Sequence, residues 1–107
     1  MFHYTTEDRA NQIMESNELW PSLRANNPKD ARYGDGQYFS DIQPGTRSQG
    51  QLARAFLGTP WGGQRFTHYL EIDVSDLEVV QGRDGVFVVL GDSPLDIAGR
   101  IVSHGKN

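Results

Sequence analysis

Apolar and polar positions along this chain repeat with two different periods, and the switches between them predict the order of its elements. Phe2-His3-Tyr4-Thr5 alternates with period two and is rich in strand formers, which predicts a first strand. Alternation sets His3 and Thr5 on one side of that strand and Phe2 and Tyr4 on the other. Thr5-Thr6-Glu7-Asp8 then offers a threonine cap followed by acids, the chemistry of a helix start. Ala10, Ile13 and Met14 form one stripe of that helix, and Ser16-Asn17 marks its end. Leu19 and Trp20 make a short apolar patch before Pro21.

Residues 22–36 turn to Asn, Pro, Lys, Asp, Arg and Gly, a loop long enough to suggest a functional role. Strand character returns from Gln37 to Ser40 around Tyr38 and Phe39, and Pro44-Gly45-Thr46 reads as a turn. Ser48 is placed to cap a second helix carrying Leu52, Ala55 and Phe56, ended by Gly58 and Pro60. The sharpest period-two signal runs from Arg65 to Val74, with Phe66, His68, Leu70, Ile72 and Val74 on one face. Val86 to Leu90 is apolar on both faces, as in a central strand, and Ile97 to Val102 reads as a last strand interrupted by Gly99. Strand and helix come first and strands cluster last, so the class is α+β. There is no internal repeat and no boundary within the 107 residues, enough for one core.

Composition narrows the function classes. Hydrophobic residues at 36% and the lack of low-complexity tracts argue for a packed domain rather than disorder. With no cysteine, a disulfide framework and a thiolate zinc site are excluded. Histidines at positions 3, 68 and 104 have no ligand spacing, so no metal is expected. A net charge of −4 opposes broad charge-driven binding to nucleic acid, although Arg24, Lys29 and Arg32 gather positive charge in one segment. No apolar run is long enough to span a membrane. The N-terminus carries no signal pattern. The chain therefore reads as cytoplasmic, or as an effector whose export signal lies on a longer parent chain or a delivery system.

The residues able to carry chemistry are His3, the stretch Gly34-Asp35-Gly36-Gln37-Tyr38, and several scattered acids. The glycine pair is no Rossmann fingerprint, because neither a third glycine nor a helix follows. Each candidate also has a plain structural reading. Gly34-Asp35-Gly36 suits a turn, and Tyr38 and Phe39 suit a core. Asp84 fits the Arg83-Asp84-Gly85 turn, and Asp96 fits a strand start that caps or pairs with Arg100. His68 reads as a satisfied core histidine, and Asp41 as a partner for Arg47 or Arg65.

The order of these pieces adds a resemblance. Phe2-His3-Tyr4-Thr5 and the helix after it, followed by Tyr33-Gly34-Asp35-Gly36-Gln37-Tyr38-Phe39-Ser40-Asp41, resembles the ADP-ribosyltransferase superfamily. The second piece is similar to the tyrosine-bearing strand of the poly-ADP-ribose polymerase group. Arg65-Phe66-Thr67-His68-Tyr69-Leu70-Glu71-Ile72-Asp73 and Pro94-Leu95-Asp96-Ile97-Ala98-Gly99-Arg100-Ile101-Val102 look like a compact bacterial and fungal branch named for a His-Tyr-Asp signature. Many members of that branch are toxin-type domains.

The resemblance implies a split β-sandwich with NAD, as substrate, in the cleft between its sheets. It implies that His3 bonds the adenosine ribose with Thr5 beside it, and that the backbone around Tyr4 pairs with the nicotinamide carboxamide. Tyr38 would pack on the nicotinamide ring with Phe39 adjacent, Phe56 would add a second ring, and Gly34 and Gly36 would let the main chain approach the ligand. No tyrosine stands where the polymerase pattern has its second stacking one. The acid that stabilises the oxocarbenium-like state is usually a glutamate opening a central strand. That register lands at Asp84, with Asp96 as competitor. The lack of glutamate favours single-unit ADP-ribose transfer to a protein or nucleic-acid acceptor over chain elongation. NAD hydrolysis, and an inactive module that binds NAD or ADP-ribose, are the alternatives. A toxin would be matched by an immunity or antitoxin protein.

Overall fold

The computed structural model describes residues 1–107. In chain order the elements are β1 (Phe2–Thr5), α1 (Glu7–Ser16), β2 (Glu18–Leu19), β3 (Gly36–Phe39), α2 (Gln49–Leu57), a 3-10 turn (Gly63–Phe66), β4 (His68–Ile72), β5 (Val80–Arg83), β6 (Val86–Leu90), β7 (Leu95–Asp96) and β8 (Ile101–Lys106). The α+β class read from the sequence holds.

Both helices start and stop on local chemistry. The Thr6 hydroxyl accepts from the Arg9 amide at the start of α1, and Asn17 ends it in the left-handed region at φ 56°. Ser48 and Gln51 form a reciprocal capping box on α2, which Gly58 closes at φ 78°. These interactions lie within a few residues of one another, which is why they can be read from the chain.

The sheets depend on partners far apart in sequence. One antiparallel sheet has the order β1-β4-β8, a second has the order β3-β6-β5, and β2 pairs with β7 in a small ribbon. The apolar run of β6 does lie centrally in its sheet. Two long-strand expectations need correction. Arg65 and Phe66 lie in the 3-10 turn, so β4 starts only at His68. Gly62 at φ 87° opens that turn, and a Cβ on Gly63 would come within 2.8 Å of the Gln49 backbone, so the segment is docked tightly beneath α2. Ile97 likewise is not in a strand. Its carbonyl accepts from the Arg100 amide in a turn that includes Gly99 at φ 76°, and β8 starts at Ile101. Ile97 is nonetheless fully buried. The ribbon and β5 have no strong alternation of their own, so periodicity does not predict them.

The core divides into two clusters. Ala10, Leu19, Phe39, Leu70, Ile72 and Ile97 pack between α1 and the sheets. Tyr4, Leu52, Ala53 and Phe66 pack around α2 and are flanked by Phe2, Phe56 and Tyr69. The two larger sheets meet through one antiparallel bridge, Phe2 to Ser40, closed by 2.8 Å hydrogen bonds in both directions. What happens beyond that bridge determines the site.

Candidate functional site

Continuing the Phe2–Ser40 bridge as a ladder would set Tyr4 opposite Tyr38. The ladder does not continue. Instead the His3 ring occupies the gap, with Nδ1 2.8 Å from the Tyr38 carbonyl oxygen. A carbonyl only accepts, so Nδ1 carries the proton and Nε2 keeps the lone pair. Burial pushes the His3 pKa down, more than the Tyr38 carbonyl raises it, with nearby Arg9 lowering it further. The ring is therefore a neutral acceptor at its Nε2 edge. Phe39 packs edge-on against it, with centroids 6.1 Å apart.

Hydrogen-bond alternation exposes main-chain groups in the same gap. Met1 exchanges both bonds with Ile72 on β4, at 2.9 and 2.7 Å, and Phe2 exchanges both with Ser40 on the other side. Tyr4 shares the phase of Phe2, so its N–H and C=O turn away from β4 and toward the gap. On the facing strand, Gly36 and Ser40 turn away from β6 to bond Ser22 and Phe2, and Tyr38 lies between them in the same phase. The gap is thus a missing stretch of ladder, edged by the backbone of Tyr4 and Tyr38.

A cavity of about 390 Å³ opens there, within the size range of small-molecule sites. β1 and the cap after it contribute Phe2, His3, Tyr4, Thr5 and Thr6. Tyr38 and Phe39 come from β3, Phe56 from α2, Phe66 from the 3-10 turn and Val86 from β6. Of the residues expected at the site, His3, Tyr4, Thr5, Tyr38, Phe39 and Phe56 are therefore brought together.

Their supports explain their positions. Tyr4 donates to the Ile42 carbonyl at 2.7 Å, and burial pushes its phenol up to about 12. Phe56 packs against Tyr4 and Phe66 at 5.7 and 5.2 Å between centroids. The Tyr38 hydroxyl is fully engaged: it donates to the Gly34 carbonyl at 2.8 Å and accepts from the Tyr33 amide at 2.9 Å. Burial also raises its pKa. Tyr38 thus offers the cavity a fixed ring rather than a mobile proton.

Four other expected residues lie elsewhere. Asp84 is exposed in the turn between β5 and β6, and Asp96 is exposed on β7, where its carboxylate accepts from the Ala98 amide at 2.9 Å. Neither lines the cavity. Gly34 and Gly36 do not line it either, and their small size has another cause. A Cβ on Gly36 would stand 2.3 Å from the Val89 carbonyl oxygen, and Gly34 sits at φ 115° against Leu90. The glycines let β3 close on β6.

Three smaller expectations also change. His68 is half-buried rather than core, with Nε2 3.1 Å from the Glu7 carboxylate. Asp41 is exposed, and Arg65 pairs with Asp30 instead. The Arg100 guanidinium pairs with Asp76 and takes only the backbone oxygen of Asp96.

Within the 22–36 loop the sequence singled out only Gly34 and Gly36 as site residues. Ser22, Lys29, Asp30, Arg32 and Tyr33 from that loop line the cavity, joined by Arg9 and Arg65. Four cations face one carboxylate on a protein of net charge −4. That concentration suits an anionic ligand. The clustering of Arg24, Lys29 and Arg32 was the signal in the sequence, and the structure directs two of those three to the cavity.

A family model described as HYD1 signature containing ADP-ribosyltransferase matches residues 1–101 of the chain. No curated protein and no solved structure matches it.

Proposed function

The chain belongs to the toxin-type ADP-ribosyltransferases that contain the HYD1 signature, and from that membership we propose that it binds NAD in the gap between β1 and β3 and transfers its ADP-ribose. The acceptor is a protein or a nucleic acid, and one ADP-ribose unit is added. The observation that carries this reading is the cavity itself: flat rings, a neutral histidine acceptor and an unpaired strand edge under a cationic rim.

Each part of NAD has a matching group in this reading. The nicotinamide ring lies against Tyr38 and Phe56, apolar faces of the right shape. Its carboxamide is both donor and acceptor, as is the free Tyr4 edge. His3 Nε2 accepts from a ribose hydroxyl. Arg9, Lys29 and Arg32 meet the diphosphate, for which guanidinium and ammonium groups are the usual partners. The two three-stranded sheets, joined at one bridge, are read as the halves of a split sandwich.

Holding the nicotinamide by ring and carboxamide while the ribose is bonded separately orients the bond between them. Its cleavage sends the electron pair to the pyridine nitrogen and leaves positive charge on the sugar. A second reading, NAD binding without turnover, is favoured by the position of Asp84 and Asp96 off the cavity.

Incubation with NAD and detection of nicotinamide tests turnover. Free ADP-ribose as the sole product would mark a hydrolase. Lysate incubated with labelled NAD, followed by analysis of protein and nucleic-acid fractions, identifies the acceptor class. Binding without nicotinamide release would select the second reading.

A further inference from the structure

Breaking the nicotinamide–ribose bond shifts positive charge from the pyridinium ring onto the ribose, within a cavity already lined by Arg9, Lys29, Arg32 and Arg65. Cations in that number oppose an oxocarbenium-like state unless a carboxylate stands close to it. Asp30 is the one carboxylate that lines the cavity.

Its placement is well fixed. The Asp30 and Ala31 amides both donate to the Asn27 carbonyl, at 3.1 and 2.9 Å, and Ala31 is fully buried beneath them. The loop is fastened again where the Arg24 amide donates to Asp35 at 2.7 Å. Arg65 reaches from the 3-10 turn to donate to Asp30 Oδ2 at 2.5 Å, and its guanidinium lies 5.7 Å from the centre of the Phe66 ring. Oδ1 forms no hydrogen bond within the protein. The Asp30 side chain is only 20% exposed.

We propose that Asp30 is the carboxylate that faces the reacting ribose, with Arg65 as the positioning residue that holds it. This assignment rests on the NAD reading above. In the step, the bond from ribose C1′ to the nicotinamide nitrogen breaks and its electron pair leaves with nicotinamide. The acceptor oxygen or nitrogen bonds C1′, and its proton passes to Asp30 and then to solvent. No further co-reactant is needed.

The test compares Asp30→Asn, Arg65→Gln, Asp84→Asn and Asp96→Asn with the unaltered chain, measuring NAD affinity, nicotinamide release and melting temperature. Asp30→Asn is expected to keep NAD affinity within about threefold and to lose ~100-fold or more in nicotinamide release. Arg65→Gln breaks the same ion pair but spares the carboxylate, so its loss stays under about tenfold if the effect is chemical rather than structural. Equal losses in Asp30→Asn and Arg65→Gln would reduce the pair to a structural tie and overturn the assignment. So would full turnover in Asp30→Asn, or its loss in Asp84→Asn or Asp96→Asn. Should Asp30→Asn not fold, Asp30→Glu replaces it: a carboxylate displaced by one methylene must lower turnover at least about tenfold with binding intact. The unaltered chain separates the two ideas. If it releases nicotinamide while the Asp30 variants do so equally, only this assignment fails; if it does not bind NAD, both fail.

Discussion

His3 Nδ1 lies 2.8 Å from the Tyr38 carbonyl oxygen, so one side chain takes the place of a rung between β1 and β3. It ties the two sheets where their main chains have parted, and it leaves Nε2 and the Tyr4 backbone edge facing the opening. Replacing His3 by Ala should therefore weaken NAD binding about tenfold, the worth of one to two hydrogen bonds. Stability should fall by ~1 kcal/mol as the tie to the Tyr38 carbonyl is lost. Titration calorimetry with NAD and urea denaturation measure the two losses. Unchanged NAD affinity beside that loss of stability would make His3 a structural tie alone.

Acid should loosen the fold through the same residue. The His3 pKa lies below its ordinary 6.5, chiefly because burial disfavours the charged ring. The unfolded chain then binds the proton more readily, so the stability that comes from a neutral His3 is present above pH 6.5 and is lost as pH falls through the folded pKa. Melting curves from pH 8 to pH 4 should fall more steeply for the unaltered chain than for His3→Asn. Both proteins retain His68 and His104, so their difference isolates position 3. Parallel curves would contradict the neutral-ring reading.

Tyr38→Phe and Tyr38→Ala separate the ring from the hydroxyl. Loss of the hydroxyl leaves the Tyr33 amide and the Gly34 carbonyl without their partner, which should cost about 1–3 kcal/mol of stability. NAD affinity of folded Tyr38→Phe should stay within about threefold, because the ring face remains. Tyr38→Ala should lose tenfold or more. Strong loss of affinity in the Phe variant would show that the hydroxyl serves the ligand.

Gly36→Ala tests why that glycine is there. Its new methyl group would overlap the Val89 carbonyl, a backbone atom that cannot swing aside. The expected penalty is at or above the usual 1–3 kcal/mol for overpacking, read from the urea midpoint. A stable variant with selectively impaired NAD binding would instead support close approach of the ligand to the main chain.

Binding should also weaken with salt. The cationic rim of Arg9, Lys29 and Arg32 faces solvent, where ionic screening acts strongly. Raising sodium chloride from 50 to 500 mM should lower NAD affinity several-fold, and Lys29→Ala should flatten that dependence. An affinity indifferent to salt would remove the diphosphate from the rim.

Much of this protein was legible from its sequence because the determining interactions are local. Thr6 and Ser48 satisfy amides three residues away, and Asn17 and Gly58 supply the left-handed ends of their helices. The apolar run at Val86 to Leu90 marks a central strand whatever its partners. Alternation likewise fixed the phase of His3 and Tyr4 on β1, and the order of motifs pointed to His3, Tyr38 and Phe56, three side chains that line one cavity.

Tertiary structure decided what depends on distant partners. Phe66 has a strand-like place in the pattern, yet docking of Gly63 beneath α2 coils its segment. Ile97 is apolar and wholly buried, but burial alone does not distinguish a strand from a turn that plugs the core. The carboxylates show the same limit. Asp30, Asp84 and Asp96 are chemically identical along the chain, and only the closing of the 22–36 loop over the gap puts Asp30 on the cavity while the others face solvent. Spacing along a chain carries local geometry well, whereas which of several acids lines the same cavity as a histidine on another strand is set by how the sheets part.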